Sequence, residues 1–203
     1  MSKPVTGTAL EGELTLVAED SPNSGPVIFT IGHSIHSAEK LVGLLKSNAI
    51  KVLVDIRSEP FSRKVPHFNK DKLEKKIRES GLRYLFLGRE LGGRPKKRQF
   101  YDPEGFVLYS RIAESPDFKS GIERILKGIR TYRVAIMCSE ENPMNCHRRL
   151  LVGRVLSNRG VNIIHIRGDG SIQPEGVDSQ DRHRGDNGQT KRSLSGSEEA
   201  GRV

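Results

Sequence analysis

Residues 27–58 read VIFTIGHSIHSAEKLVGLLKSNAIKVLVDIRS, and this stretch decides the fold class. Its two ends, VIFTIG and KVLVDIRS, are short and largely apolar, which is typical of strands that are buried on both faces. The segment between them, SAEKLVGLLKSNA, has apolar residues at helical spacing and starts with Ser37, a residue type that caps helix N-termini. A strand, a helix and a second strand in this order predict two parallel strands joined by a crossover helix.

The same alternation continues along the chain. DKLEKKIRESG precedes RYLFLG, DFKSGIERILKGIRTY precedes RVAIMC, and CHRRLLVGRVLSNRG precedes NIIHIRG. Asp71 lies at the start of one predicted helix, and Gly81 and Gly160 follow two others, where a left-handed residue commonly ends a helix. The sequence therefore predicts an α/β fold: a three-layer sandwich with a mainly parallel sheet of about five strands and helices on both faces.

Composition divides the chain into one domain and two tails. Residues 1–26 mix Gly, Ser, Pro and acidic residues without periodicity, and residues 171–203 hold few apolar residues and no Phe, Tyr or Trp. We expect both tails to be disordered, which leaves residues 27–170 as a single α/β domain. Within this domain residues 88–115 form one long connection. A loop of that length is usually functional, such as a lid, or partly disordered.

The sequence also bears on the compartment. It contains no apolar run long enough to cross a membrane, and its first residues, MSKPVTGTALEGELTLVAED, lack the basic and then apolar order of a secretory signal. We therefore expect a cytoplasmic protein without a membrane partner. The chain has 2 cysteines, which in a reducing compartment are expected to be thiols rather than a structural disulfide.

The positive charge of the chain is concentrated in the predicted domain. The net charge is +9 overall, −3 in residues 1–26 and −1 in residues 171–203, which leaves +13 for residues 27–170. Such a surface attracts anions, so a phosphorylated metabolite, a nucleotide or a nucleic acid is a plausible partner, although basic surfaces also serve solubility alone. Residues 57–111 carry +8 and include aromatic side chains on which bases of a single strand could stack; a solvated basic loop explains them equally well.

Polar residues follow three of the predicted strands. His33 follows the first strand and Asp55 lies near the end of the second, whereas Cys138 and Glu140 lie at the end of the fourth. The carboxyl ends of parallel strands meet at one edge of a sheet, so we expect a shared crevice in which these four residues are candidate catalytic groups. A buried Asp55 needs a partner, which Arg57 or a histidine could provide.

Both cysteines lie in MCSEENPMNCHRR, residues 137–149. A helix N-terminus, His147 and Arg148 would each lower the pKa of a nearby thiol and make it a nucleophile. A closed zinc site would need a fourth ligand, His33 or His165, and an iron–sulfur cluster would need more thiolates than the chain has. A reversible disulfide between the two cysteines is a further alternative. We favour a thiol beside an anion-binding site, with no metal and no cofactor.

Five motifs together resemble the DUF488 family: FTIGHS, LVDIRSEPFSR, FNKDKLEKKI, GLRYLFLGRELGGRP and IMCSEENPMNCHRRLLVGRVL. The resemblance covers about residues 28–166. It implies an α/β domain and supplies no reaction. It also implies that the family's signature positions include Tyr84, Gly92 and Gly93 besides the strand-end residues and the Cys146-His147-Arg148 tripeptide.

These observations favour a small enzyme that binds an anionic substrate, either phosphorylated, nucleotide or nucleic acid, in a basic crevice. The alternative is a non-catalytic module that binds nucleic acid or senses redox state through its thiols. The candidate substrate-binding residues are Ser34, Arg57, Ser58, Ser62, Arg63, Tyr84, Cys146, His147 and Arg148. The sequence does not indicate the oligomeric state.

Overall fold

The computed structural model describes residues 25–176. The predicted tails therefore lie almost entirely outside the described residues. Among the described residues, no helix is long and apolar enough to cross a membrane.

The centre of the domain is a six-stranded sheet. Its strands are β1 (Val27–Gly32), β2 (Val52–Asp55), β3 (Arg83–Phe86), β4 (Val134–Cys138), β5 (Asn162–Ile166) and β6 (Ile172–Pro174). The strand order is β3-β2-β4-β1-β5-β6. All neighbouring pairs are parallel except β5 and β6. This confirms the mainly parallel sheet. The sheet has one strand more than the five expected, the antiparallel edge strand β6.

Helices cover both faces of the sheet. Besides short 3-10 and π-helical turns, they are α1 (Ala38–Ser47), α2 (Lys70–Glu79), α3 (Gly88–Leu91), α4 (Tyr109–Glu114), α5 (Pro116–Ile129) and α6 (Arg154–Ser157). The apolar sides of α1 and α2 pack with one face of the sheet in one buried cluster, and those of α3, α4, α5 and α6 pack with the other face in a second cluster. The predicted three-layer sandwich is thus confirmed.

The helix ends follow the local sequence signals. The Ser37 hydroxyl accepts a hydrogen bond from the backbone N–H of Lys40 at 3.1 Å and so caps α1. Gly81 and Gly160 have φ angles of 82° and 78°, the left-handed conformation in which glycine has no steric penalty.

Residues 88–115 differ from the expected long loop. They form α3, a 3-10 turn at Arg98–Phe100 and α4, and Leu91, Phe100 and Ile112 from these three elements are buried. Each element is too short to show a helical period in the sequence, since it contributes only one or two apolar anchors. The segment is therefore part of the domain's core packing.

Two further differences concern the C-terminal part of the domain. The helix expected to begin at Cys146 consists of a π-helical turn, Arg148–Gly153, that continues into α6, and π turns are found frequently at functional sites. Strand β6 lies in the segment expected to be a disordered tail: it pairs His165 with Gln173 and extends the sheet beyond residue 170. Its 3 residues are too few and too polar to be recognised as a strand.

Candidate functional site

The turns after β1, β2 and β4 converge at one edge of the sheet, as the sequence predicts. The backbone N–H of His33 donates to the carbonyl oxygen of Cys138 at 3.0 Å, and that of Ser34 donates to Ser139 at 2.9 Å. On the other side of β4, the N–H of Ile56 donates to the carbonyl oxygen of Met137 at 3.1 Å. The ladder hydrogen bonds thus continue past the strand ends and hold the three turns side by side.

Cys138, Cys146 and His147 form a compact cluster at this edge. Nδ1 of His147 lies 3.4 Å from Sγ of Cys138 and 4.0 Å from Sγ of Cys146. The two sulfurs and the nitrogen all lie within 4.8 Å of one another. Both cysteines are buried free thiols, and His147 is half-buried. The structure thus brings together three residues that the sequence marked as site candidates.

The backbone fixes which nitrogen of His147 faces the sulfurs. Nε2 of His147 lies 3.1 Å from the carbonyl oxygen of Ile56. A carbonyl oxygen only accepts hydrogen bonds, so Nε2 must carry a proton. Nδ1 is therefore free either to accept a proton from a thiol or, in the imidazolium form, to donate to a thiolate.

The two thiols are not equivalent. The pKa of Cys138 is lowered, chiefly by the neighbouring Cys146 thiol, with further contributions from the His147 ring and the backbone of Glu140. The pKa of Cys146 is raised by the adjacent Cys138 sulfur and by burial. Two neighbouring sulfurs cannot both hold a negative charge easily in a buried site. Nδ1 of His147 also lies nearer to Cys138 than to Cys146, which favours Cys138 as the sulfur that carries the charge.

Arg148 is fully buried beneath this cluster. Its Nη1 donates to the carbonyl oxygen of Glu140, and its Nη2 donates to that of Glu141 at 2.5 Å. Within the described part of the chain, Nε of Arg148 has no hydrogen-bond partner and the guanidinium forms no ion pair. Burial lowers the pKa of Arg148. Its charge is thus balanced by carbonyl dipoles, the nearby sulfurs and the more distant Glu141 carboxylate.

Glycine at position 32 permits this arrangement. A Cβ atom on Gly32 would overlap the carbonyl oxygen of Glu140 and would lie 2.6 Å from Nη1 of Arg148. The segment after β4 can therefore cross the end of β1 only where no side chain is present. Glu140 contributes its backbone to the site, whereas its side chain is exposed. The role of its carboxylate as a catalytic group stays a prediction.

Asp55, Arg57, His33 and Tyr84 form a second network beside the thiols. Nε and Nη2 of Arg57 donate to Oδ1 and Oδ2 of Asp55 at 2.9 and 2.6 Å. The Tyr84 hydroxyl donates to Oδ2 at 2.7 Å, and Nη1 of Arg57 donates to Nε2 of His33 at 3.1 Å. The expectation that Arg57 pairs with the buried Asp55 is confirmed. Its donors are directed inward, so its predicted role in substrate binding stays a prediction.

His33 is a neutral ring held by this network. Its Nδ1 lies 2.8 Å from the carbonyl oxygen of Ser34 and must carry the proton, so Nε2 accepts from Arg57. The ring stacks on Phe68, with 4.2 Å between the centroids. Burial, with a further contribution from the Arg57 charge, lowers the pKa of His33 to about 4. Both ring nitrogens are occupied, which favours a positioning role for His33 over direct proton transfer.

This low pKa predicts a loss of stability in mild acid. Between pH 6.5 and about 4 the unfolded chain binds a proton at His33 that the folded chain does not bind, so unfolding becomes more favourable as the pH falls through this window. The single group accounts for up to about 3 kcal/mol. Denaturant unfolding between pH 7 and 4 should show a flatter pH dependence for His33→Gln than for the wild type. Equal slopes would contradict the assignment.

The remaining candidates lie outside these two networks. Ser34 follows His33 with a left-handed φ of 47°, and the Ser58 hydroxyl accepts from the backbone N–H of Arg94 at 2.9 Å. Ser62 organises a turn by accepting from the N–H of Val65 at 3.2 Å, and Arg63 is exposed on that turn. The substrate-binding roles of these residues stay predictions.

Sequence reasoning missed Tyr109, and it placed Gly93 among the family's signature positions without giving it a contact. Burial and the charges of the two cysteines raise the pKa of Tyr109, so this hydroxyl is electrostatically coupled to the thiols. Gly93 packs flat on His147, and a Cβ there would lie 2.6 Å from Cγ of the ring. The double glycine of the GRELGGRP motif was a usable signal for the second contact. Nothing in the sequence around Tyr109 indicated the first.

A separate polar cluster ties β6 to the sheet. Nδ1 of His165 lies 2.7 Å from the Thr30 hydroxyl, and Nε2 lies 2.8 Å from a carboxylate oxygen of Glu175. The other oxygen of Glu175 accepts from Nε of Arg149 at 2.6 Å. Burial lowers the pKa of His165, although the carboxylate opposes this effect. Since Thr30 and His165 are buried within the sheet, this cluster is a structural link rather than a second site.

One of three comparisons with known proteins finds a match. The family model described as "Domain of unknown function DUF488" matches residues 37–155, which includes the thiol cluster, Asp55 and Arg57. Comparison with curated proteins and with solved structures finds no match. The matched segment exceeds half of the chain, and so the protein belongs to the DUF488 family.

Proposed function

We propose that the protein is a thiol-dependent enzyme in which Cys138 is the nucleophile and the substrate is an anion. One observation carries this proposal: Nδ1 of His147 lies 3.4 Å from the sulfur of Cys138, while Nε2 of the same ring is held by the Ile56 carbonyl. A buried structural cysteine usually behaves as a small apolar side chain and needs no such partner. An oriented imidazole beside a sulfur favours a thiolate at that position.

His147 is the group that handles the proton. Its Nδ1 lies 3.4 Å from the Cys138 sulfur, so the ring can take the thiol proton and return it to a leaving group as the sulfur attacks an electrophilic centre. Its Nε2 is held by the Ile56 carbonyl, which fixes the ring orientation and leaves only Nδ1 for catalysis. Cys138 and His147 are thus catalytic residues in this proposal, and Ile56 positions the ring.

The charge distribution supports an anionic substrate. Arg148 places a buried positive charge next to the thiols and forms no ion pair among residues 25–176, although the Glu141 carboxylate acts on it from a greater distance. Arg94 is exposed at the rim, where the Ser58 hydroxyl fixes its backbone and where its charge acts on Tyr109. A phosphorylated metabolite, a nucleotide or a nucleic acid would each match this potential. The proposal includes a cytoplasmic location, where reducing conditions keep both thiols free.

Alkylation tests the nucleophile directly. With a chelator present, iodoacetamide at about pH 6 should modify Cys138 of the wild type quickly, because an ordinary thiol with a pKa of about 8.5 is largely unreactive there. Peptide mass spectrometry identifies the modified residue. Cys146→Ser is the matched control, since it removes the other thiol and should still be alkylated at position 138. Modification confined to Cys146, or to neither thiol, would contradict the proposal.

A pair of reagents tests the preference for anions. Iodoacetate and iodoacetamide differ mainly in charge, so a positive site should raise the iodoacetate to iodoacetamide rate ratio several-fold above that of free cysteine. Arg94→Ala should lower the ratio at Cys138, whereas Arg130→Ala should not, because Arg130 lies at the end of α5, near the edge of the sheet where β4 begins. A ratio equal to that of free cysteine would contradict an anionic substrate. It would not contradict the role of Cys138 as the nucleophile.

A further inference from the structure

The thiol cluster has the dimensions of a metal site. For Zn–S bonds of about 2.3 Å and a Zn–N bond of about 2.0–2.1 Å, tetrahedral geometry places each sulfur about 3.5 Å from the nitrogen and the two sulfurs about 3.8 Å apart. The observed distances from Nδ1 of His147 are 3.4 Å to Cys138 and 4.0 Å to Cys146, and all three atoms lie within 4.8 Å of one another. Small rotations of the side chains would bring them around one ion.

The surroundings of the three atoms match those of metal ligands. Histidines that bind a metal generally donate their other N–H to a carbonyl or carboxylate, and Nε2 of His147 donates to the Ile56 carbonyl. A divalent cation between the two sulfurs would remove the repulsion between their thiolates.

The histidines that the sequence offered as a fourth ligand are engaged elsewhere. His33 bonds to Arg57 and to the Ser34 carbonyl, and His165 bonds to Thr30 and Glu175. The requirement for four protein ligands, which argued against zinc, applies to closed structural sites. Three protein ligands with a fourth position left for water or a ligand are typical of open zinc sites, including the Cys₂His type.

We propose that Cys138, Cys146 and His147 together bind one thiophilic divalent metal ion, such as Zn²⁺, with a fourth position open to solvent. Each thiol that is protonated beforehand releases its proton to solvent as its sulfur–metal bond forms, and the lone pair of Nδ1 forms the third bond. The metal also occupies the sulfur that would otherwise attack a substrate. Binding therefore switches off the nucleophile, a consequence that rests on the proposed function, whereas the metal site itself does not.

Cobalt titration tests the site. Tag-free, chelator-treated protein in the reduced state should bind one equivalent of Co²⁺ and develop a sulfur-to-cobalt charge-transfer band together with the visible bands of tetrahedral cobalt. Added ZnCl₂ should abolish them. Cys146→Ser and His147→Gln should each weaken cobalt binding at least roughly tenfold. His67→Gln is the matched control, because His67 lies outside the cluster and bonds the His36 carbonyl.

Thermal unfolding of each variant separates loss of a ligand from loss of the fold. A folded Cys146→Ser protein that still shows the full charge-transfer intensity, or a wild type that shows none, would overturn the metal site. Rapid iodoacetamide reaction at Cys138 without any cobalt band would leave the nucleophile and refute the metal. A cobalt band on a protein whose Cys138 never reacts in the metal-free state would support the metal site and refute the nucleophile.

Discussion

Replacing Asp55 with asparagine should lower the free energy of unfolding by about 3–5 kcal/mol, the cost of leaving a buried charge without its partner. The Asp55 side chain is 0% exposed and that of Arg57 is 4% exposed. The substitution keeps the shape of the side chain but removes the negative charge that Arg57 contacts through two nitrogens. Denaturant unfolding at neutral pH measures the effect. The slope of the unfolding free energy against denaturant concentration should stay the same in both proteins.

An exposed ion pair provides the matched control. Glu74 pairs with Arg78 at 2.8 Å on the surface of α2, where the side chains are 31% and 62% exposed. Glu74→Gln should cost less than about 0.5 kcal/mol, because solvent already screens this pair. The double variant Asp55→Asn with Arg57→Met should recover part of the lost stability, since no unpaired charge remains. Equal losses for Asp55→Asn and Glu74→Gln would show that the buried network is not held by charge.

The sequence predicts the convergence of the site because it follows from topology. Parallel strands connected by crossover helices carry their C-terminal turns to one edge, so His33, Asp55 and Cys138 had to lie near one another once the strands were recognised. The buried Asp55 likewise required a cation, and Arg57 two residues later was within reach. These inferences need only the order of elements and the cost of burying polar groups.

The chemistry within the site depends on contacts that no local pattern encodes. The sequence offers Arg57 and Arg148 as anion-binding residues, and only the structure shows that most of their donors contact Asp55, His33 and two backbone carbonyl groups. The sequence offers Cys138 as the candidate nucleophile and places Cys146 near a helix start, but it does not show how the two sulfurs interact. In the structure Nδ1 of His147 lies nearer to Cys138 than to Cys146, and the neighbouring Cys146 lowers the pKa of Cys138. Such contacts depend on the orientation of side chains, which a sequence pattern does not specify.

Gly32→Ala should destabilise the protein by about 3 kcal/mol, because the added Cβ would meet backbone rather than a movable side chain. The Glu140 carbonyl oxygen occupies the space that the Cβ needs, and Nη1 of Arg148 lies 2.6 Å from it. The segment after β4 must therefore shift. That shift weakens the hydrogen bonds that satisfy the buried guanidinium and adds to the steric cost. Thermal or denaturant unfolding against the wild type measures the loss.

Gly43 offers a control with the same chemical change. It lies in α1, and a Cβ there meets nothing within 4 Å, so Gly43→Ala should stabilise the protein by up to about 1 kcal/mol through helix propensity. If the Gly32→Ala effect acts through Arg148, its cost should be smaller in an Arg148→Met background, because part of the loss is then already present. Full additivity of Gly32→Ala and Arg148→Met would instead mean that the glycine only makes room for the chain crossing and does not support the arginine beneath the thiols.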